Sequence, residues 1–242
     1  MNLSIATFNI QHGKDYAHYK ATGEEKIDLK LMADTIRAMN VSVCGLNEVR
    51  NQEEGGLVNQ AKVIGEHLGW NYALVSAIPI KNGYYGNALV SRYPITAVKS
   101  VPIVTTPEER GEGKHFEDRV LLVATVQAEE KQITVMSCHF GLNPSEMDKA
   151  VQIVLDEGET VTTPMVFMGD LNLMPDNFRI QKLREAFTDS ATVGGDDMLT
   201  FPSIDANRKI DYIFAKNCKP LSSEVPQLVA ADHLPIKAVI EL

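Results

Sequence analysis

The chain has 242 residues, 44% of them hydrophobic and 23% charged, and a formal charge of −9 from 32 acids against 23 Lys and Arg. Such a composition supports a buried core and excludes a disordered chain, and the length suits one large domain or two small ones. The acidic balance argues against a generic duplex nucleic-acid binder, whose affinity comes largely from Lys and Arg on phosphates; the basic residues group only loosely, at Arg179, Lys182, Arg184 and at Arg208, Lys209.

Leu3, Ile5 and Phe8-Asn9-Ile10 predict a first strand that ends at Asn9. The polar stretch from Gln11 to Glu25 predicts a long loop, and long ordered loops are often functional. Asp28 is placed to cap a helix with Leu29, Leu31, Met32, Ile36 and Met39 at helical spacing. A second strand, from Val41 to Leu46, is closed by Asn47-Glu48-Val49-Arg50. Gly55-Gly56 breaks the chain before a helix carrying Val58, Ala61, Ile64 and Leu68, which Gly69 stops. Strands are predicted from Trp70 to Ala77, from Asn87 to Arg92 and from Ile95 to Val104, with Pro79 to Gly86 as a projecting turn.

The loop from Thr105 to Glu117 leads into a strand from Val120 to Val126. Glu129-Glu130-Lys131 reads as a hairpin turn into Ile133 to Met136, which runs on to Ser137-Cys138-His139-Phe140-Gly141. Asn143-Pro144-Ser145-Glu146 combines an N-cap, a Pro in the first turn and a capping-box Glu, and predicts a helix with Met147, Val151 and Val154 buried. Met165 to Met168 is a short apolar strand closed by Gly169, with Asp170 and Asn172 following. Alternate residues of an extended chain face the same way. A carboxylate and a carboxamide are therefore expected at one spot on the C-terminal edge of a sheet, where open α/β folds place ligands; a plain Asp-Asn turn is the bland alternative. A helix from Asp176 to Phe187, a strand from Lys209 to Phe214 containing Asp211, and Asp232-His233 before a last strand from Pro235 to Leu242 complete the chain. Without repeats, linkers or a composition break, this order predicts one α/β domain over residues 1–242.

Cys44, Cys138 and Cys218 are odd in number and lack metal-finger spacing, which predicts reduced thiols. No signal peptide and no apolar run of membrane-spanning length is visible, so the cytoplasm is the default compartment. A monomer is expected.

Thr7-Phe8-Asn9-Ile10, Leu46-Asn47-Glu48-Val49, His139-Phe140-Gly141, Gly169-Asp170-Leu171-Asn172, Ile210-Asp211-Tyr212 and Asp232-His233-Leu234-Pro235 together resemble, in order, the signatures of the endonuclease/exonuclease/phosphatase superfamily. That group includes abasic-site endonucleases, pancreatic-type deoxyribonucleases, neutral sphingomyelinases, inositol-polyphosphate 5-phosphatases and deadenylases. The resemblance spans nearly the whole chain. It implies an α/β four-layer sandwich, two mixed β-sheets packed face to face with helices on the outer faces, and a divalent-metal site at one rim.

The residue chemistry fits. Phosphate-ester cleavage needs charge neutralisation, an activated water and stabilisation of the leaving oxygen. Glu48 is the expected ligand of Mg²⁺ or Mn²⁺, since Mg²⁺ takes hard oxygens and one or two carboxylates; the resemblance adds Asp232 on the metal side and Asn9 beside metal or phosphate. It gives Asp170 the attacking water, Asn172 the water or the scissile phosphate, and His233 the phosphate, with Asp211 behind the imidazole. His139 is similar to a second histidine of the nuclease and sphingomyelinase branches. Arg119 is similar to a phosphate-side arginine, although a solvated arginine at a strand start reads equally well. Asn87 and Asn143 are weaker substrate contacts, Asn143 being already explained as a helix cap. Tyr85, with Tyr19 and Tyr84, is read as a loop aromatic for stacking on substrate or for turn packing.

Three departures stand out. Tyr84-Tyr85-Gly86 lie where the deoxyribonuclease branch supplies an acidic partner for the histidine, Asn47 lies where many members have Gln, and Gln11 lies where abasic endonucleases have an extra acid. The reading that follows is hydrolysis of phosphodiesters of a small molecule or lipid headgroup. A nuclease would want a basic groove, and an inositol-phosphate type of monoesterase would want rim cations. Lys14, Lys20, Arg110 and Lys114 are available, but Glu24, Glu25, Glu108, Glu109 and Glu112 surround them. A non-catalytic binding module would have no use for so many retained acids.

Overall fold

The computed structural model describes residues 1–52, 59–80, 83–110, 116–195 and 198–242. The predicted break at Gly55-Gly56, Val58 of the second helix, Lys81-Asn82 of the projecting turn, and Glu112 and Lys114 of the rim lie outside the described residues. The elements in order are β1 (Asn2–Asn9), α1 (Tyr16–Thr22), α2 (Leu29–Ala38), β2 (Val43–Gln52), α3 (Gln60–Leu68), β3 (Asn71–Ile80), β4 (Gly83–Ser91), β5 (Ile95–Ile103), β6 (Arg119–Ala128), β7 (Lys131–Cys138), α4 (Pro144–Thr160), β8 (Met165–Asp170), α5 (Phe178–Ala186), β9 (Thr188–Asp189), β10 (Asp211–Lys216), β11 (Lys219–Glu224) and β12 (Ile236–Glu241).

They form two six-stranded sheets, ordered β11-β12-β1-β2-β4-β3 and β5-β6-β7-β8-β10-β9. Each is antiparallel except for one parallel pair, β1 with β2 and β7 with β8. Parallel neighbours need a crossover, and the crossovers are helical: α1 and α2 in the first sheet, α4 in the second.

The period of two along each strand divides the apolar residues between two faces. Leu3 and Ile5 of β1, Val135 of β7, Val166 and Met168 of β8 and Ile213 of β10 share one cluster between the sheets. The alternate set faces outward, where Ala6, Phe8, Cys44 and Leu46 pack with Met32, Ile36 and Ile64 of α2 and α3. On the other side Met136, Phe167 and Phe214 pack with Val154 of α4 and Ile180 and Leu183 of α5. The fold is thus the expected α/β four-layer sandwich. No helix among the described residues is long and apolar enough to cross a membrane. The three cysteines are free thiols.

Several predicted boundaries move. The stretch from Gln11 to Glu25 is not a loop: a 3-10 turn at Gln11–Gly13 precedes α1, which Asp15 caps by accepting from His18 N. No residue of α1 is buried, so the helix carries no apolar period to read. The predicted turn from Pro79 to Gly86 belongs mostly to a hairpin, with Pro79 and Ile80 in β3 and Gly83 to Gly86 in β4. Tyr84 and Tyr85 are therefore strand residues, and Tyr19 lies in α1. Strands β9 and β11 carry no apolar run long enough to stand out and were not predicted.

Candidate active site

Strand direction puts the polar residues on one edge. The parallel strands β1, β2, β7 and β8 lead to that edge, and their antiparallel neighbours β10 and β12 start from it. Asp211 at the start of β10 is in register with Asp170 at the end of β8. Asn9 and Asp170 continue the inter-sheet faces of β1 and β8, two residues beyond Thr7 and Met168. The inter-sheet core thus runs outward into a polar floor, with Asn9, Asn47, Asp170 and Asp211 all buried.

Glu48 reaches the floor by a different route. It does not close β2; the strand runs on to Gln52, and a bulge shifts its register against β4 between Leu46 and Val49. Glu48 sits in this bulge at φ +56°, a region costly for a residue with a side chain and found where function constrains the backbone. Bulges re-aim a side chain out of the pleat. Asn172 likewise departs from the extended conformation, at φ +51°, with its N–H donating to Asp170 Oδ1 at 3.0 Å. Asp170 and Asn172 do meet, at His139, through an Asx turn and not through strand alternation.

The contacts converge on Asp170 Oδ2. Asn9 Nδ2 donates to it at 3.0 Å and to Glu48 Oε1 at 3.0 Å. The Nε2 atoms of His139 and of His233 each lie 3.5 Å from it. The Asp170 backbone N–H donates to Asn47 Oδ1 at 2.9 Å. Burial is the main cause that lifts the Asp170 carboxyl to about 7; the charge of His233 opposes it and that of Asp211 adds to it.

His233 and His139 are driven apart. Burial disfavours the His233 cation, but Asp211 and Asp170 outweigh it and raise the ring to about 10. His233 Nδ1 lies 2.9 Å from Asp211 Oδ2, which also accepts from Thr200 Oγ1 at 2.5 Å. His139 is held well below the ordinary histidine value by burial first, then by the charges of Arg119 and His233. Its two ring nitrogens both face donors, Arg119 Nη1 at 3.2 Å and Asn172 Nδ2 at 3.1 Å; a neutral ring accepts from one of them and an imidazolium from neither. The His139–Asp170 approach is thus no ion pair, whereas that of His233 is.

Two donor sets could hold a cation. Asp170, Asp211 and His233 offer ligand atoms within 4.8 Å of one another. Within that triad His233 Nδ1 and Asp211 Oδ2 are bonded to each other and the ring proton of His233 supplies counter-charge, while Asp211 Oδ1 is buried without a hydrogen-bond partner. Glu48 and Asp232 are the second set. Both line the same cleft, and Asp232 Oδ1 is buried without a hydrogen-bond partner. Burial, with Glu48 adding repulsion against the pull of His233, raises the Asp232 carboxyl to about 6. Two such carboxylates and an orphaned oxygen are what a hard divalent cation takes.

The cleft has a volume of about 500 Å³ and is also lined by Ile78, Ile80, Tyr85, Glu117, Arg119, Leu142, Phe201, Arg208 and Ile210. Arg119 is buried, not a solvated strand-start residue, and donates to Glu117 Oε2 at 2.6 Å. The Tyr85 hydroxyl bonds to His12 Nδ1, and the Arg50 guanidinium lies 5.4 Å from its ring centre.

Three of the expected contacts are held by neighbours. Both ends of the Asn9 amide are engaged: its oxygen accepts from Gln11 N at 3.0 Å, and its nitrogen bridges the two carboxylates. Asn87 Oδ1 accepts from Asn47 at 2.8 Å while its Nδ2 donates to Val120 O at 2.7 Å, so it braces Asn47 and lines only a small recess behind Glu48, Arg119 and His139. Asn143 caps α4, its N–H donating to Glu146 Oε2 at 3.0 Å, and lies beside the cleft and not in its lining. Phe201, Arg208 and Thr200 were not singled out for the site. The only signal they carried was a loose basic pair at Arg208-Lys209.

The sequence matches the profile of the Endonuclease/Exonuclease/phosphatase family over residues 6–233. No curated protein sequence matches it significantly. Among solved structures it is similar to an endonuclease/exonuclease/phosphatase from Beutenbergia cavernae DSM 12333, at 22% identity and a TM-score of 0.79 over 100% of this chain and 72% of that one. It is similar to a mannosyl-6-phosphatase of Bacteroides thetaiotaomicron VPI-5482, at 15% identity and 0.79 over 99% and 100%, and to truncated Caenorhabditis elegans TDP2, at 12% identity and 0.69 over 100% and 98%. The profile match covers nearly the whole chain, and the chain belongs to the endonuclease/exonuclease/phosphatase family, whose members are phosphoesterases.

Proposed function

We propose that this protein is a Mg²⁺- or Mn²⁺-dependent hydrolase of phosphodiesters carried by a small molecule or a lipid headgroup. The observation that carries the reading is the meeting of Asp170, His233, His139 and Asn9 at one oxygen, Asp170 Oδ2, in a cleft that Glu48 and Asp232 also line. Glu48 and Asp232 are the residues that would hold the cation, which when bound neutralises charge on the phosphate and the leaving oxygen.

Asp170 Oδ2 takes the proton of an attacking water, and a carboxyl lifted to about 7 suits a base near neutral pH. Asn172 and His139 fix the water or a phosphoryl oxygen, with Asn172 Nδ2 anchored on Phe140 O at 3.1 Å and 3.1 Å from His139 Nε2. The Nε2–H of His233, kept cationic by Asp211, donates to a phosphoryl oxygen as charge builds there. The water oxygen bonds to phosphorus as the ester P–O bond opens, and solvent protonates the departing alkoxide. No covalent enzyme intermediate is formed.

A diester brings one negative charge where a monoester brings up to two. Glu48, Glu117, Asp170 and Asp232 all line the cleft against Arg119, Arg208 and His233, so the smaller charge is the better tolerated. Lys14, Lys20 and Arg110, the described candidates for gripping further phosphates, are not in its lining: Lys14 lies over the Tyr19 ring, Lys20 is exposed on α1 and Arg110 pairs with Asp118 at 2.8 Å.

The test is a screen of diesters, monoesters, single- and double-stranded DNA, RNA and phospholipids with Mg²⁺ or Mn²⁺, repeated with chelator. Turnover of small diesters that chelator abolishes is expected. Activity on duplex DNA alone would favour a nuclease, and silence across the panel with metal bound would favour a binding module on the same scaffold.

A further inference from the structure

Among the described residues, Arg119 and Arg208 are the two arginines that line the cleft. The charge of Arg119 is spent inside the wall, on Glu117 Oε2 at 2.6 Å. Arg208 is different. It is exposed, its guanidinium lies 4.5 Å from the centre of the Phe201 ring, and it makes no ion pair with a described carboxylate. A guanidinium laid on an aromatic face keeps its N–H edge free for a carboxylate or phosphate.

Its place is fixed by backbone. Phe201 and Arg208 exchange backbone hydrogen bonds at 3.0 and 2.9 Å, and Ser203 ties the same loop to the segment bearing the site, N–H to Asp232 O at 2.7 Å and Oγ to Ala231 O at 2.6 Å. The same Phe201 ring lies against His233, ring centres 4.7 Å apart. Phe201 thus touches both the Arg208 guanidinium and the imidazole assigned to the phosphate, and all three line one cleft. Ile78, Ile80, Leu142 and Ile210 add an apolar part to the same lining.

We infer that Arg208 is a specificity residue that grips a second anionic group, a carboxylate or a further phosphate, borne by the substrate beyond the scissile phosphorus, with the apolar wall and Phe201 holding the carbon skeleton between the two charges. The inference rests on the hydrolase reading for where the first phosphate sits.

Uncleavable phosphonates separate the two. Binding of the singly charged methyl esters of phenylphosphonate, 4-carboxyphenylphosphonate and 1,4-phenylenebisphosphonate (one methyl per phosphorus) to the Mg²⁺-loaded protein is measured by calorimetry. A preference of about tenfold for a dianchored ligand over the phenylphosphonate ester is expected, the scale of one charge-assisted hydrogen bond. The larger of the two preferences identifies carboxylate or phosphate. In Arg208→Gln the preference falls towards one, and Arg208→Lys, which keeps the charge, retains part of it. Equal affinity for all three ligands in the parent protein, or a preference that survives in Arg208→Gln, overturns the assignment. A preference found in a protein that cleaves no ester supports the Arg208 assignment and sinks the hydrolase reading.

Discussion

Asp170 Oδ2 receives the Asn9 amide at 3.0 Å and stands 3.5 Å from two imidazoles of opposite character, one cationic and one neutral. Asn9 also holds Glu48 Oε1 at 3.0 Å, so a single amide spaces the proposed base from the proposed metal ligand. Glu48→Gln keeps the shape and removes the charge. The Mg²⁺ concentration for half-maximal rate is expected to rise about tenfold or more, the scale on which weakened metal sites respond, and an unchanged titration would take Glu48 away from the cation. Each of these polar residues was legible in the sequence, because acids, amides and histidines at strand ends have few other reasons to recur. Their division of labour was less so. Nothing in Thr7-Phe8-Asn9-Ile10 says which end of the Asn9 amide faces inward; that depends on Gln11 N, which turns back through a 3-10 turn to take the oxygen.

The elements that deliver these side chains do so by bends. Gly169 shows the constraint: at φ +146° a β-carbon there would lie 1.8 Å from the carbonyl oxygen of Cys138 on the neighbouring strand. Gly169→Ala is expected to lower stability by more than about 2 kcal/mol, read from chemical denaturation; a loss below about 0.5 kcal/mol would mean that β7 and β8 do not pack this closely. The apolar runs made nearly every central strand legible, since period two and buried β-branched residues are strong signals. The bulge at Glu48, the left-handed turn at Asn172 and helix α1 were not, because each is fixed by tertiary contacts and not by an apolar period.

The 3-10 turn before α1 carries a second testable constraint. Burial first, and the nearby charge of Arg50, depress His12 to about 4 from its ordinary 6.5, against the pull of Glu25. The native state therefore refuses a proton that the unfolded chain accepts, so the stability contributed by neutral His12 is present above about pH 6.5 and is lost as pH falls towards 4. His12→Asn tolerates the same left-handed backbone, φ +50°, without titrating. The melting-temperature advantage of the parent over His12→Asn should shrink between about pH 7.5 and pH 5; an advantage that grows on acidification would contradict the burial of a neutral ring.

At the scale of the whole molecule, two sheets with the same plan, each with one parallel pair near its middle, lay their polar ends side by side and open a cleft where the inter-sheet core stops. The net charge of −9 sets the long-range field against polyanions. Small diesters should therefore be cleaved with a kcat/KM nearly independent of salt, and any cleavage of duplex DNA should be far slower; the reverse order would restore the nuclease. The central claim is that one buried carboxylate activates water in this cleft, and Asp170→Asn tests it most directly, with bis-p-nitrophenyl phosphate as substrate and Mg²⁺ saturating. A fall in kcat of about 10²- to 10⁴-fold, the usual worth of a general base, with circular dichroism and Mg²⁺ affinity preserved, is the predicted result. Turnover at the parent's rate would contradict it.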